Sequence, residues 1–229
     1  MKTLNNYITE RLNPRNLGSV GRDTLPEALK EKYKLIYNPA TGRYDCNNDI
    51  KIKYDLIDEN GHFICNFGVV KGLFDCGDCN ELKSLAGAPK KVEGKFDCHR
   101  CSKLVSLEGA PEEVEGSFWC FGCDKLESLE GAPGEVGKDF YCGGCKTLAS
   151  LEGAPEKVGG DFNCGDCNKL TSLKGAPRNV KGRFYCGYCN NLVSLEGAPD
   201  KVGECFDCSD CPRLTDYNIN TKIGRKFIK

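Results

Sequence analysis

A C-x-x-C pair that returns every 22 residues constrains this chain more than any other feature. Cys76, Cys98, Cys120, Cys142, Cys164, Cys186 and Cys208 each have a second cysteine three residues on, at Cys79, Cys101, Cys123, Cys145, Cys167, Cys189 and Cys211. Phenylalanine stands two residues before every first cysteine, from Phe74 to Phe206, and leucine three residues after every second one, from Leu82 to Leu214. Six copies of S-L-x-G-A-P separate the seven pairs, so the unit reads V-x-x-x-F-x-C-x-x-C-x-x-L-x-S-L-x-G-A-P without insertion. A strict period near 20 residues predicts a solenoid whose coils bury their apolar side only against neighbouring coils. Each coil is expected to supply one short strand and an irregular return arc.

Within F-x-C, strand alternation sends Phe and the first Cys to one face and the residue between them to the other. The inward set per coil is then Val, Phe, two Cys and two Leu. In Leu107-Glu108-Gly109-Ala110-Pro111, glycine permits a left-handed backbone and proline fixes φ, so the arc turns without entering a helix or a strand. No strand, glycine loop and helix follow one another as phosphate binding would require, so these glycines read as architecture.

The spacing resembles the leucine-rich repeat, L-x-x-L-x-L-x-x-N/C-x-L. Val92, Phe96, Cys98, Cys101 and Leu104 match it, with one extra residue at each end of the match. Residues 66–217 resemble the short leucine-rich repeats of bacterial and tailed-phage proteins, whose arcs often carry L-x-S-L-x-G-x-P. The resemblance implies an α/β-type repeat solenoid, mainly short parallel strands with irregular arcs, and a non-enzymatic protein-binding role. In such repeats the position of Cys101 is commonly asparagine, bonded to the backbone of the neighbouring turn. Here all seven coils carry cysteine instead.

The flanks divide the chain further. Residues 1–12 place Leu4, Tyr7, Ile8 and Leu12 at helical spacing, and Asp23 or Thr24 can cap a second helix over LPEALKEKY. Lys34–Tyr37 and Arg43–Cys46 flank a hairpin signal, as do Ile50–Ile57 and His62–Phe67. The expected organisation is an N-terminal helical segment (1–33), a small β-hairpin cap (34–70), a seven-coil solenoid (71–217) and a C-terminal cap or tail (218–229). Met1-Lys2-Thr3-Leu4 followed by Tyr7-Ile8-Thr9-Glu10 resembles the capsid-targeting segments of phage internal head proteins, which implies virion packaging with cleavage after Glu10.

Seventeen cysteines behind an N-terminus without a secretory signal suggest a reducing compartment, the host cytoplasm or a virion, where thiols or metal replace disulfides. Three readings of the pairs stand: stacked structural thiols, structural zinc, or redox chemistry. The zinc alternative takes Cys76, Cys79, Cys98 and Cys101 as one site and Cys120, Cys123, Cys142 and Cys145 as the next. Seven equivalent pairs would leave one orphaned, and the first Cys occupies a core position, so the expectation is no cofactor. His62 and His99, the two histidines, stand in no apparent carboxylate or thiol constellation, and no catalytic residue is expected. No apolar run is long enough for a membrane span, and a net charge of −1 argues against nucleic acid.

The outward positions vary from coil to coil. Between Phe and Cys they read Asp75, Asp97, Trp119, Tyr141, Asn163, Tyr185 and Asp207, with Phe121, His99, Arg100, Asp166, Tyr188 and Asp210 between the cysteines. An exposed aromatic cluster with an acidic rim has the composition of a binding hot spot, although strands favour aromatics on either face. The candidate partner-binding residues are Trp119, Phe121, Tyr141, Tyr185, Tyr188, Asp97 and Arg100, on the concave side of the sheet. The partner is expected to be a protein, with a host factor as one option.

Overall fold

The computed structural model describes residues 23–228, with side chains through 225. It is a solenoid of short parallel strands. The segment resembling a capsid-targeting sequence and the helix expected over residues 1–12 lie outside the described residues.

Each coil supplies two strands rather than the one expected. The first is centred on the repeat valine, as in Lys91–Val92, and the second on the phenylalanine, as in Phe96–Asp97. Stacking the coils gives a ten-stranded valine sheet and a nine-stranded phenylalanine sheet. Phe96 registers on Phe118, and Val92 on Val114, across a 22-residue step. Two-residue strands carry no alternation of their own, and neighbouring coils hold them in place. The Phe118 N–H donates to the Asp139 carbonyl at 2.8 Å, and the Cys120 N–H to the Tyr141 carbonyl at 2.8 Å.

The return arc turns at Leu-x-Gly-Ala, where the Ala110 N–H donates to the Leu107 carbonyl at 2.9 Å. Gly109 has φ +87°, and a Cβ there would meet the Ala86 backbone nitrogen at 2.6 Å. Both the left-handed backbone and the close packing of coils therefore require glycine. The arcs carry turns, and the helix among the described residues, α1 (Glu27–Tyr33), precedes the coils.

The interior is a set of columns. Phe74, Phe96, Phe118, Phe140, Phe162, Phe184 and Phe206 form a continuous stack with successive centroids 5.0–5.5 Å apart. Phe67 and Phe63 close its N-terminal end edge-on, at 5.1 and 5.8 Å from Phe74. The valine, leucine and paired cysteine columns lie beside it, all buried. Each fully buried phenylalanine contributes about 2–3 kcal/mol of hydrophobic stabilisation that no coil obtains alone.

The strand ladder extends beyond the Cys-pair repeat at both ends. Residues 35–38 and 43–46 form the expected antiparallel hairpin, and its second strand then pairs in parallel with Phe67–Val70. The second expected hairpin is only a single bridge, Ile57 to Phe63. Ile50–Lys51 instead joins the phenylalanine sheet beside Phe74–Asp75, and Phe67–Val70 joins the valine sheet. Residues 43–65 are therefore a degenerate coil, with isoleucine where later coils have phenylalanine. At the other end Lys222–Ile223 and Lys226–Ile228 extend both sheets. The N-terminus of α1 has no side-chain cap from Asp23 or Thr24. The Tyr44 hydroxyl instead accepts from the Thr24 and Leu25 N–H groups and donates to Asp23.

Candidate functional site

Sixteen of the seventeen cysteines are buried, Cys205 being half-buried. All fourteen paired cysteines are buried, and none of the seventeen forms a disulfide. The second cysteine of a coil donates its thiol to the carbonyl of the first cysteine in the preceding coil, as in Cys101 to Cys76, 3.2 Å, and Cys123 to Cys98, 3.2 Å. The same bond recurs from Cys145, Cys167, Cys189 and Cys211. The thiol thus takes the backbone-bonding role expected of asparagine in leucine-rich repeats. Burial raises the thiols of Cys79, Cys167 and Cys189 to about 12 and pushes those of Cys120, Cys142 and Cys164 well above the ordinary range. Nucleophilic chemistry needs the thiolate, which burial here disfavours.

Among the described residues, a different trio brings its metal-type donor atoms within 4.8 Å of one another: Asp75, Asp97 and His99. His99, expected to stand alone, therefore belongs to a carboxylate constellation. The 22-residue register assembles it, since Asp75 pairs with Asp97 and Gly77 lies under the His99 ring.

The outer side of the phenylalanine sheet holds the predicted binding residues. Trp119 and Tyr141 stack at 5.7 Å with an interplanar angle of 9°, and Phe121 lies against Trp119 at 6.0 Å. The Phe121 ring stacks on His99 at 4.9 Å. Trp119, expected to be exposed, is half-buried. The Lys95 ammonium sits 3.4 Å from its ring centroid, and Tyr141 covers it from the next coil. Its indole N–H is buried without a hydrogen-bond partner. Asp97 faces outward as expected yet is only 3% exposed, because Lys95 and His99 close over it. Tyr185 is half-buried and lies along Gly165 and Gly187, where a Cβ would meet its ring atoms at 2.3 Å and its hydroxyl at 2.8 Å. Arg100 and Tyr188 are exposed.

The position just before each second cysteine is left-handed: Asp78, Arg100, Gly122, Gly144, Asp166, Tyr188 and Asp210 all have φ between +52° and +69°. Glycine, which fits this backbone without strain, appears in only two coils. Arg100 at φ 52° and Tyr188 at φ 59° instead accept a cost of about 1–2 kcal/mol each. Sequence spacing alone placed these side chains outward but gave no sign of that strain.

The outside of the valine sheet is different in kind. Exposed ion pairs cross between coils there, Lys157 with Glu135, Lys90 with Glu112 and Lys91 with Glu113 and Glu115. Such pairs are each worth about 0–1 kcal/mol, as on any solvated face. No helix among the described residues is long and apolar enough to cross a membrane. Comparison with protein-family models, curated proteins and solved structures gave no match.

Proposed function

We propose that the chain is a non-enzymatic protein-binding solenoid whose contact surface is the outer side of the phenylalanine sheet, centred on Trp119, Phe121 and Tyr141. One observation carries the reading: strained or half-buried side chains are concentrated on this face, where the internal columns gain nothing from them. Arg100 and Tyr188 occupy left-handed positions that glycine would fill at lower cost, and both project to solvent. Planar rings beside a guanidinium form the residue set that dominates protein hot spots. The buried indole N–H of Trp119 adds a donor that an acceptor from a partner could satisfy once Lys95 moves aside.

The resemblance of residues 66–217 to tailed-phage leucine-rich repeats supports a phage origin and a partner in the host cytoplasm. The test is capture with the immobilised chain, comparing wild type with the Trp119→Ala/Tyr141→Ala double variant. The expected result is a protein retained by wild type and lost by a variant whose melting temperature stays within a few degrees. Equal retention by both would remove this face as the binding site, and a collapse in melting would show that the rings belong to the core.

A further inference from the structure

We propose that Asp75, Asp97 and His99 form a divalent-cation site of the zinc class at the N-terminal end of the phenylalanine sheet's outer face. The site stands independently of the partner-binding reading. Asp75 and Asp97 are the buried carboxylates among the described residues, at 8% and 3% exposed, and they lie in register on adjacent coils. Each accepts a backbone N–H on Oδ1, from Gly77 at 2.9 Å and from His99 at 3.1 Å, and turns its Oδ2 to a lysine ammonium that a cation would have to displace.

The His99 ring is held on both faces. Phe121 stacks on one, and Gly77 makes room on the other, where a Cβ would meet Nδ1 and Cε1 at 2.2 Å. Its Nδ1 lies 2.6 Å from Asp97 Oδ1, inside the cluster, and its Nε2 lies 3.3 Å from Asp78 Oδ2 on the far side. A ring nitrogen turned inward, with a carboxylate near the other nitrogen, approximates the outer-shell arrangement that orients histidine toward a metal. Tetrahedral zinc at ~2.0–2.2 Å from nitrogen and oxygen ligands needs donors ~3.3 Å apart, which small side-chain rotations supply here. Two carboxylates and an imidazole leave a fourth position for water.

Two lysines compete with a cation for the carboxylates. Lys51 Nζ lies 3.1 Å from Asp75, and Lys95 Nζ lies 2.8 Å from Asp97. Two ammonium groups meet the two negative charges that one divalent cation would meet. Lys51 is on an exposed stem, its side chain 71% accessible, and Lys95 already rests on the Trp119 ring, so both can withdraw without unfolding a strand. Exchange of the lysines for the metal moves a cation at the face of the chain's one tryptophan, which makes Trp119 a built-in reporter.

The test is titration of the full chain with Co2+ and then Zn2+, followed by Trp119 fluorescence, calorimetry and the near-ultraviolet spectrum. One equivalent should bind with a fluorescence change and no sulfur-to-cobalt charge-transfer band. His99→Ala and Asp97→Asn should weaken binding by roughly 100-fold or more, and Asp78→Asn by about 10-fold through the outer shell. Lys51→Ala removes only an exposed competitor, so its fold is safe, and it should tighten binding several-fold. The proposal is overturned by the absence of saturable binding, by binding that His99→Ala leaves intact, by affinity that Lys51→Ala does not raise, or by a thiolate band placing the metal on the cysteine pairs.

Discussion

The two sides of the phenylalanine sheet share one backbone and obey different rules. On the inner side every coil offers the same phenylalanine and the same first cysteine, fully buried or nearly so. On the outer side the residue between them changes from Asp97 to Trp119, Tyr141 and Asn163 within four coils. Inward positions must match the coil above and the coil below, so one substitution disturbs two interfaces. Outward positions meet neighbours only through side chains that can adjust. The interior is accordingly uniform because stacking requires it, whereas variation and local strain collect on the outside, where rings and carboxylates point away from the columns.

Raising the pH attacks the inner side first and should give the largest effect. Burial lifts thiols such as Cys79, Cys167 and Cys189 to about 12, whereas an unfolded thiol titrates near ~8.5. The folded chain holds its thiol protons longer, so the thiols' contribution to stability is constant below about pH 8 and is lost as pH rises from there toward 12. Each such thiol contributes a slope of about 1.4 kcal/mol per pH unit in that window. Denaturant midpoints measured between pH 7 and 11 should drop steeply, and a constant midpoint would mean that the thiols are not held in a dry interior.

Adjacent residues on one strand give the next contrast. Phe140→Ala opens the centre of the ring stack and should cost about 3–5 kcal/mol, whereas Tyr141→Ala should cost roughly 1 kcal/mol. Urea unfolding of the two variants measures both, and similar losses would erase the distinction between the sides.

The smallest effect has the opposite sign. Tyr188→Gly removes an exposed side chain from a left-handed position, and relief of ~1–2 kcal/mol of strain exceeds the ~0.5–1 kcal/mol that glycine adds in chain entropy. Stability should rise by up to about 1 kcal/mol in the same assay, and a clear loss would show that Tyr188 supports the fold.

The columns were legible in the sequence because the period is strict. Phe, Val, both Leu and both Cys positions recur at 22, and all of them lie inside. The second strand was not legible, because Lys91–Val92 is two residues long and is held by register with Glu113–Val114. Within the degenerate coil at 43–65, the turn residues at 59–61 give a local hairpin signal between 50–57 and 62–67, while the actual strand pairing is with residues 23–24 positions later. The outward direction of Trp119, Phe121 and Asp97 followed from alternation, but their burial depends on Lys95, Tyr141 and His99 in adjoining positions. The Asp75, Asp97 and His99 trio spans two coils. Setting the repeats one above another brings these residues together, whereas reading along the chain separates them.

The fourteen paired cysteines pack the interior as buried thiols. Alkylation under native and denaturing conditions, read by intact mass and peptide mapping, tests this claim most directly. The fourteen paired thiols should stay unmodified in native buffer at neutral pH and all react once the chain is unfolded. Rapid native labelling of Cys98, Cys101 or any equivalent pair would contradict the claim and return the C-x-x-C ladder to the list of reactive sites.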